Sequence, residues 1–189
     1  MIETDRPDED RDGLWVFGYG SLMWRPGFSF LEMQAARVSG FVRDMCFLSI
    51  HYRGTPETPG LVCGLMEDKS GVCKGRAFRV APGDAAAVIA YLDGRELITD
   101  IYRPQMLAVT LEDGRSVLAR GYVADTGHRQ FVGGWSDAEK AAAIAAGRGS
   151  EGRSLDYLAN LVAHLDALGI GDSHLHRLLD QAKAMGAAP

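Results

Sequence analysis

Val16-Phe17-Gly18-Tyr19-Gly20-Ser21-Leu22-Met23-Trp24 carries an apolar strand into an abrupt glycine-rich bend. Leu14, Trp15, Val16 and Phe17 form the short continuous apolar run of a buried strand. Gly18 and Gly20 then flank Tyr19, leaving the backbone on both sides of the ring free of Cβ atoms. Glycine accepts unusual dihedrals and lets a ligand approach main-chain N–H groups. Such a bend can form a small concavity of donors for negative oxygen atoms. Familiar motifs do not claim it. The third glycine of a dinucleotide fingerprint is missing, and no Gly-Lys-Ser/Thr follows. Tyr19 stands where a Gly-x-Ser-x-Gly nucleophile elbow needs its first glycine. Taken alone, such a bend is more often a structural turn than a site.

At 189 residues the chain suits one well-buried core and is short for two ordinary domains. A net charge of −5 speaks against general nucleic-acid binding, which needs a basic surface. No run approaches the ~20 apolar residues of a membrane span. Residues 1–13 are dense in Asp, Glu and Arg; they read as a solvated acidic tail rather than a signal peptide. A single domain is expected over residues 14–185. Cys46, Cys63 and Cys73 are odd in number and never in Cys-x-x-Cys spacing, so they read as small buried hydrophobes of a cytoplasmic protein.

Beyond the bend, residues 37–50 read as extended and 51–60, with two prolines and two glycines, as a loop. Two short strands are expected over 61–66 and 73–80, with a turn at 68–71 between them. Pro82-Gly83-Asp84 opens a helix, with Asp84 suited to cap it and Val88, Ile89 and Leu92 forming its inner stripe. Strands over 102–110 and 115–124 meet at the hairpin signal Glu112-Asp113-Gly114. Ser136 and Glu139 spell a capping box, Ser154 caps a further helix, and Asp172 or Ser173 starts the last. Leu155, Leu158, Val162 and Leu165 are the core stripe of the helix after Ser154, with Tyr157 on a neighbouring face. Strands first and helices late give an α+β fold around a mostly antiparallel sheet.

Glu96 lies four residues after Leu92 and eight after Val88, so a helix that continues past Gly94 turns its carboxylate towards the apolar face. Burial raises such a carboxyl's pKa unless a partner holds the charge. Glu96 is thus either a structural ion pair, with Arg95 or Arg103, or an acid/base group able to take and return a proton. His174-x-His176 on a helix points its rings apart and makes a poor metal site. His51 and His128 lie in loops.

Four stretches in one order carry a family resemblance: 15–24, Tyr52-Arg-Gly-Thr-Pro-Glu-Thr-Pro-Gly60, Tyr91-Leu-Asp-Gly-Arg-Glu96 and Gly152-Arg-Ser-Leu-Asp-Tyr-Leu158. Together they resemble the ChaC family of γ-glutamylcyclotransferases, and Arg95 to Pro104 is more similar to its bacterial branch. The resemblance implies a small, mostly antiparallel β-barrel with flanking helices. It also implies cleavage of glutathione to 5-oxoproline and cysteinylglycine, with no metal and no organic cofactor. It assigns catalysis to Glu96, binding of the γ-glutamyl group to Val16, Phe17, Gly18, Tyr19, Gly20, Ser21 and Leu22, largely through their backbone, and a contact with the substrate to Tyr157. Arg25, Arg53 and Arg103 are candidates for the substrate carboxylates, since arginine grips carboxylates bidentately. Two alternatives stay open: a cyclotransferase for other γ-glutamyl compounds, and a non-catalytic regulator of a cation transporter.

Overall fold

The computed structural model describes residues 13–186, so the expected acidic tail lies outside the described residues apart from Gly13. Five strands close a barrel in the order β1-β3-β2-β4-β5: β1 (Leu14–Gly18), β2 (Glu32–Ser49), β3 (Gly60–Val80), β4 (Tyr102–Leu111) and β5 (Ser116–Ala124). Pairing is antiparallel except where β5 meets β1 at Trp15↔Ala119 and Val16↔Arg120, and β3 at Leu65↔Val123. The apolar run of β1 is explained by cover on both faces. Trp15 and Phe17 enter the main core, while Val16 packs with Val88, Leu92 and Tyr122 under the helix α1 (Ala85–Glu96).

Three late helices complete the fold: α2 (Asp137–Ala146), α3 (Ser154–Ala167) and α4 (Ser173–Gly186), with a two-stranded ribbon β6 (Arg148–Gly149) and β7 (Gly152–Arg153) between α2 and α3. Ile144, Leu158, Leu161, Leu165, Leu175 and Leu178 join them to the barrel core. The α+β, mostly antiparallel barrel is as expected, and so is the β4–β5 hairpin. Among the described residues, no helix is long and apolar enough to cross a membrane.

Several local expectations are corrected. β2 begins at Glu32, earlier than residue 37, because it pairs with the far end of β3 at Arg79. The two short strands expected over 61–66 and 73–80 are one strand, β3. The turn chemistry at 68–71 is absorbed as an irregularity: Ser39 faces Val72 but Phe41 faces Glu67, so four residues bulge opposite Gly40. Asp68 Oδ1 accepts from the Ser70 N–H and hydroxyl within that bulge, and Gly40 takes the left-handed φ of +84° that the kink requires. Asp84 makes no side-chain cap; a 3₁₀ turn over Pro82–Asp84 leads into α1 instead. Ser154 is no cap either. Its hydroxyl accepts from the Leu61 N–H and donates to the Leu61 carbonyl, both at 2.9 Å, stitching α3 to β3. Leu161 is fully buried and joins the core stripe of α3. The Ser136–Glu139 capping box forms as read, and Asp172 accepts from the Leu175 N–H at the start of α4.

Candidate active site

The bend after β1 tightens into a 3₁₀ turn over Ser21–Met23, closed by Met23 N–H donating to Gly20 O at 2.9 Å. The first N–H groups of such a turn have no acceptor inside it. Tyr19 folds inward, its hydroxyl donating to Tyr122 O at 2.8 Å. Gly75 of β3 passes so close behind that a Cβ on it would lie 2.2 Å from Gly18 O. This crossing fixes where the bend can sit.

Helix α1 runs through Gly94 and ends at Glu96, which settles the direction that the sequence left open. The Glu96 side chain is 19% exposed and its Oε1 lies 3.1 Å from Arg95 Nε. Burial pushes its pKa above the ordinary glutamate range, and the Arg95 charge offsets only part of this. Arg95 is itself heavily engaged. Its Nη2 donates to Ser21 Oγ at 2.9 Å and its Nη1 to Arg25 O at 2.8 Å, with Tyr91 Oη at 3.3 Å. One guanidinium therefore ties the end of α1 to the bend.

The opposite wall comes from α3 and the barrel. The Tyr157 hydroxyl accepts from the Cys63 N–H at 3.4 Å, while the Tyr102 hydroxyl donates to Cys63 O at 2.5 Å. Burial pushes both phenols well above their ordinary range, so both stay neutral at physiological pH. Two turns along α3, His164 stacks on Trp24 with ring centroids 4.2 Å apart, fastening the end of the bend to the helix that carries Tyr157.

These elements enclose a cavity of about 610 Å³ lined by Ser21, Arg25, Arg53, Arg95, Glu96, Tyr102 and Tyr157 among others. A recess of about 50 Å³ opens between Tyr19, Gly20, Ser21, Leu22, Cys63, Glu96 and Tyr157. Of the residues singled out in the sequence, Glu96, Tyr157 and the bend from Tyr19 to Leu22 therefore converge on one place. Val16, Phe17 and Gly18 line neither space; Val16 and Phe17 are fully buried in β1 and hold the bend from behind. Arg103 is also absent from the lining: two-thirds exposed, it pairs with Asp125 at 2.8 Å. Arg53 flanks the cavity, packed over the Tyr157 ring with Nη1 donating to Glu151 O.

Sequence reasoning did not single out Arg95, except as an ion-pair partner of Glu96, nor Tyr102. The Tyr91–Arg95 spacing of four along a helix was the available signal for the first. Nothing in the pattern of β4 marked the second. Among the described residues no cluster of His, Cys, Asp and Glu could hold a metal ion. Cys46, Cys63 and Cys73 are buried free thiols, His174 faces Asp137, and His176 faces Asp166.

The family model for ChaC-like proteins matches residues 14–185. The glutathione-specific γ-glutamylcyclotransferase of Escherichia coli K12 is 34% identical over 95% of this chain and 76% of its own length. The human glutathione-specific γ-glutamylcyclotransferase 1 is 31% identical over 95% of this chain and 83% of its own. A crystal structure of a yeast γ-glutamyl cyclotransferase specific to glutathione superimposes with a TM-score of 0.85, at 25% identity, covering 93% of this chain and 98% of that one.

Proposed function

The chain belongs to the ChaC-like family, and on that premise we propose that it is a lyase, a glutathione-specific γ-glutamylcyclotransferase with Glu96 as its acid/base group. Glutathione is cleaved to 5-oxoproline and cysteinylglycine. The substrate's α-amine attacks its own γ-carbonyl carbon, a C–N bond closes the five-membered lactam, and the bond to the cysteinyl nitrogen breaks. Nucleophile and electrophile share one molecule, so a folded conformer held in the cavity gives a high effective molarity.

Protons are the remaining difficulty. The amine loses one and the departing nitrogen gains one; Glu96 takes the first and returns it to the second. A carboxyl whose proton affinity is raised by burial suits both halves of that task. The oxyanion that forms on the γ-carbonyl needs fixed donors, and the N–H groups of Gly20, Ser21 and Leu22 at the recess supply them. Ser21 binds rather than attacks. Its hydroxyl accepts from Arg95, and no general base stands beside it among its described contacts.

The observation that carries this reading is the meeting of Glu96 with the glycine bend at one recess, in a chain of this family. Purified protein incubated with reduced glutathione, or in parallel with γ-glutamylalanine, should release 5-oxoproline by mass spectrometry from glutathione alone, and Glu96→Gln should abolish it. Product from γ-glutamylalanine would move the chain to the broader cyclotransferase class. Neither substrate reacting with folded protein would sink the enzymatic reading.

A further inference from the structure

Arg43 lies on β2, is 8% exposed and lines neither the cavity nor the recess. Its Nε donates to Tyr19 O at 2.6 Å, in a buried bond, and its Nη2 donates to Lys74 O on β3. Its Nη1 lies 3.6 Å from Asp172 Oδ2, the residue whose other oxygen caps α4. Three elements therefore fix this guanidinium directly behind the bend. We infer that Arg43 is a positioning residue of the site: by holding the Tyr19 carbonyl from behind, it aims the Gly20 N–H into the recess. The inference rests on the cyclotransferase reading above.

The argument is one of peptide geometry. No peptide bond of the described chain is cis, so the Tyr19–Gly20 unit is planar with its C=O and N–H pointing in opposite directions. With the oxygen locked back onto Arg43, the Gly20 N–H faces the other way. A Cβ placed on Gly20 would have the Tyr157 hydroxyl as its nearest neighbour, 3.8 Å away, and Gly20 lines the recess beside Glu96. No backbone or side-chain acceptor among the described residues takes the Gly20 N–H. It is a free donor facing the reacting groups.

Glycine has no side chain to hold such a peptide in place, and its freedom of rotation is the largest of any residue. Tyr19 is anchored at its ring by Tyr122 O and at its carbonyl by Arg43. Remove the second anchor and the amide between the two residues can turn. A cationic donor on the carbonyl also polarises the amide, which strengthens its N–H towards an oxygen that becomes negative. That gain appears in the transition state more than in the bound substrate, so it belongs in kcat rather than KM.

The test compares Arg43→Gln, Arg43→Lys and Leu178→Ala with the parent by kcat, KM for glutathione and thermal midpoint. Leu178 is a fully buried residue of α4, and its truncation shows what destabilisation alone does. Arg43→Gln is expected to lose about tenfold or more in kcat, below the ~100-fold of deleting an oxyanion donor outright, with KM little changed. Arg43→Lys should regain part of the loss, since its one ammonium can still reach Tyr19 O but cannot span all three partners. Leu178→Ala should keep its kcat at temperatures where it is folded. An unchanged kcat in Arg43→Gln, a loss confined to KM, a Lys variant no better than Gln, or an equal loss in Leu178→Ala each overturns the inference. If Arg43→Gln does not fold, Arg43→Lys decides: reduced kcat at constant KM supports the role, and parental values for both remove it. A parent that makes no 5-oxoproline fails the cyclotransferase reading first, and this inference falls with it. A parent that turns over beside an equally active Arg43→Gln removes this inference alone.

Discussion

Asp93 and Glu96 stand three residues apart on the same helix, and the protein treats their carboxylates in opposite ways. Asp93 accepts two bonds from Arg120 Nη2, at 2.6 and 2.9 Å, and one from the Tyr122 hydroxyl at 2.7 Å. Burial pushes its pKa up, but the Tyr122 hydroxyl and Arg120 outweigh this and hold it below the ordinary aspartate range. Glu96 is more deeply buried and has one cationic neighbour, Arg95, whose nitrogens are divided among Ser21, the Arg25 carbonyl and Tyr91. What separates the two carboxylates is their depth and the number of donors left over for each: Asp93 is held ionised by three bonds, while burial raises the pKa of Glu96 with one cation to offset it.

The largest effect should come from Glu96 itself. Glu96→Gln keeps the shape and removes the proton acceptor, so kcat is expected to fall by at least ~100-fold. In the parent, the acid limb of kcat/KM should lie above the ordinary glutamate range, because the base must be ionised and burial opposes that. The stability change has the opposite sign to the activity change. A carboxyl whose folded pKa is raised stabilises the fold below its unfolded pKa and loses that contribution as pH rises through the folded value. Glu96→Gln should therefore melt higher than the parent at neutral pH, with the gap closing below about pH 4. A variant that melts lower at pH 7 while retaining turnover would make Glu96 a second Asp93.

Arg95 comes next. Arg95→Met removes the positive charge beside Glu96 and the link to Ser21 and the Arg25 carbonyl. A loss of roughly tenfold in kcat is expected, since a displaced base and bend lose alignment. The acid limb of the pH profile should also move further up, because the Arg95 charge that opposes the effect of burial on Glu96 is gone. A loss of rate with an unmoved limb would show that Arg95 holds the bend without tuning the glutamate.

At the other carboxylate the effect is on stability alone. Asp93→Asn leaves Arg120 without its ion pair, at a cost of about 1 kcal/mol; a charge-assisted bond is worth more when buried, but Asp93 is one-third exposed. A depressed pKa contributes stability above the unfolded pKa and loses it as pH falls through the folded value, so the deficit of Asp93→Asn should shrink in acid. Thermal melts at neutral and acid pH measure this, and kcat should stay near that of the parent. A large loss of turnover would erase the distinction between the two residues.

The contrast also marks what the sequence could reveal. Glu96 was legible because helical spacing alone put a carboxylate on the apolar face, and the capping box at Ser136 was legible because its chemistry is local. The hairpin at Glu112-Asp113-Gly114 belongs with them. Ser154 was misread for the same reason: its local pattern is that of a cap, but its hydroxyl is taken by Leu61, 93 residues away. The turn residues at 68–71 do bend the chain, yet the long pairing of β2 with β3 carries the strand through them. Arg43, Tyr102 and the Cys63 peptide are joined to the site by side-chain hydrogen bonds to backbone carbonyls 24 and 39 residues away. Spacing along the chain carries no trace of such contacts.

The smallest effects should separate the arginines. Arg25 lines the cavity, exposed, and no acceptor among the described residues takes its guanidinium, whereas Arg103 points away and already faces Asp125. Arg25→Ala is expected to raise KM for glutathione by roughly three- to tenfold with kcat nearly unchanged, as for a partly screened charge that attracts a carboxylate. That rise should shrink with added salt, because an exposed charge acts through solvent. Arg103→Ala should leave KM, kcat and melting temperature where they were, since its exposed pair contributes little to the fold and none of it borders the cavity. A salt-sensitive rise in KM for Arg103→Ala would mean that substrate reaches the outer face of β4, and the anion-binding side of the site would have to be redrawn around Asp125.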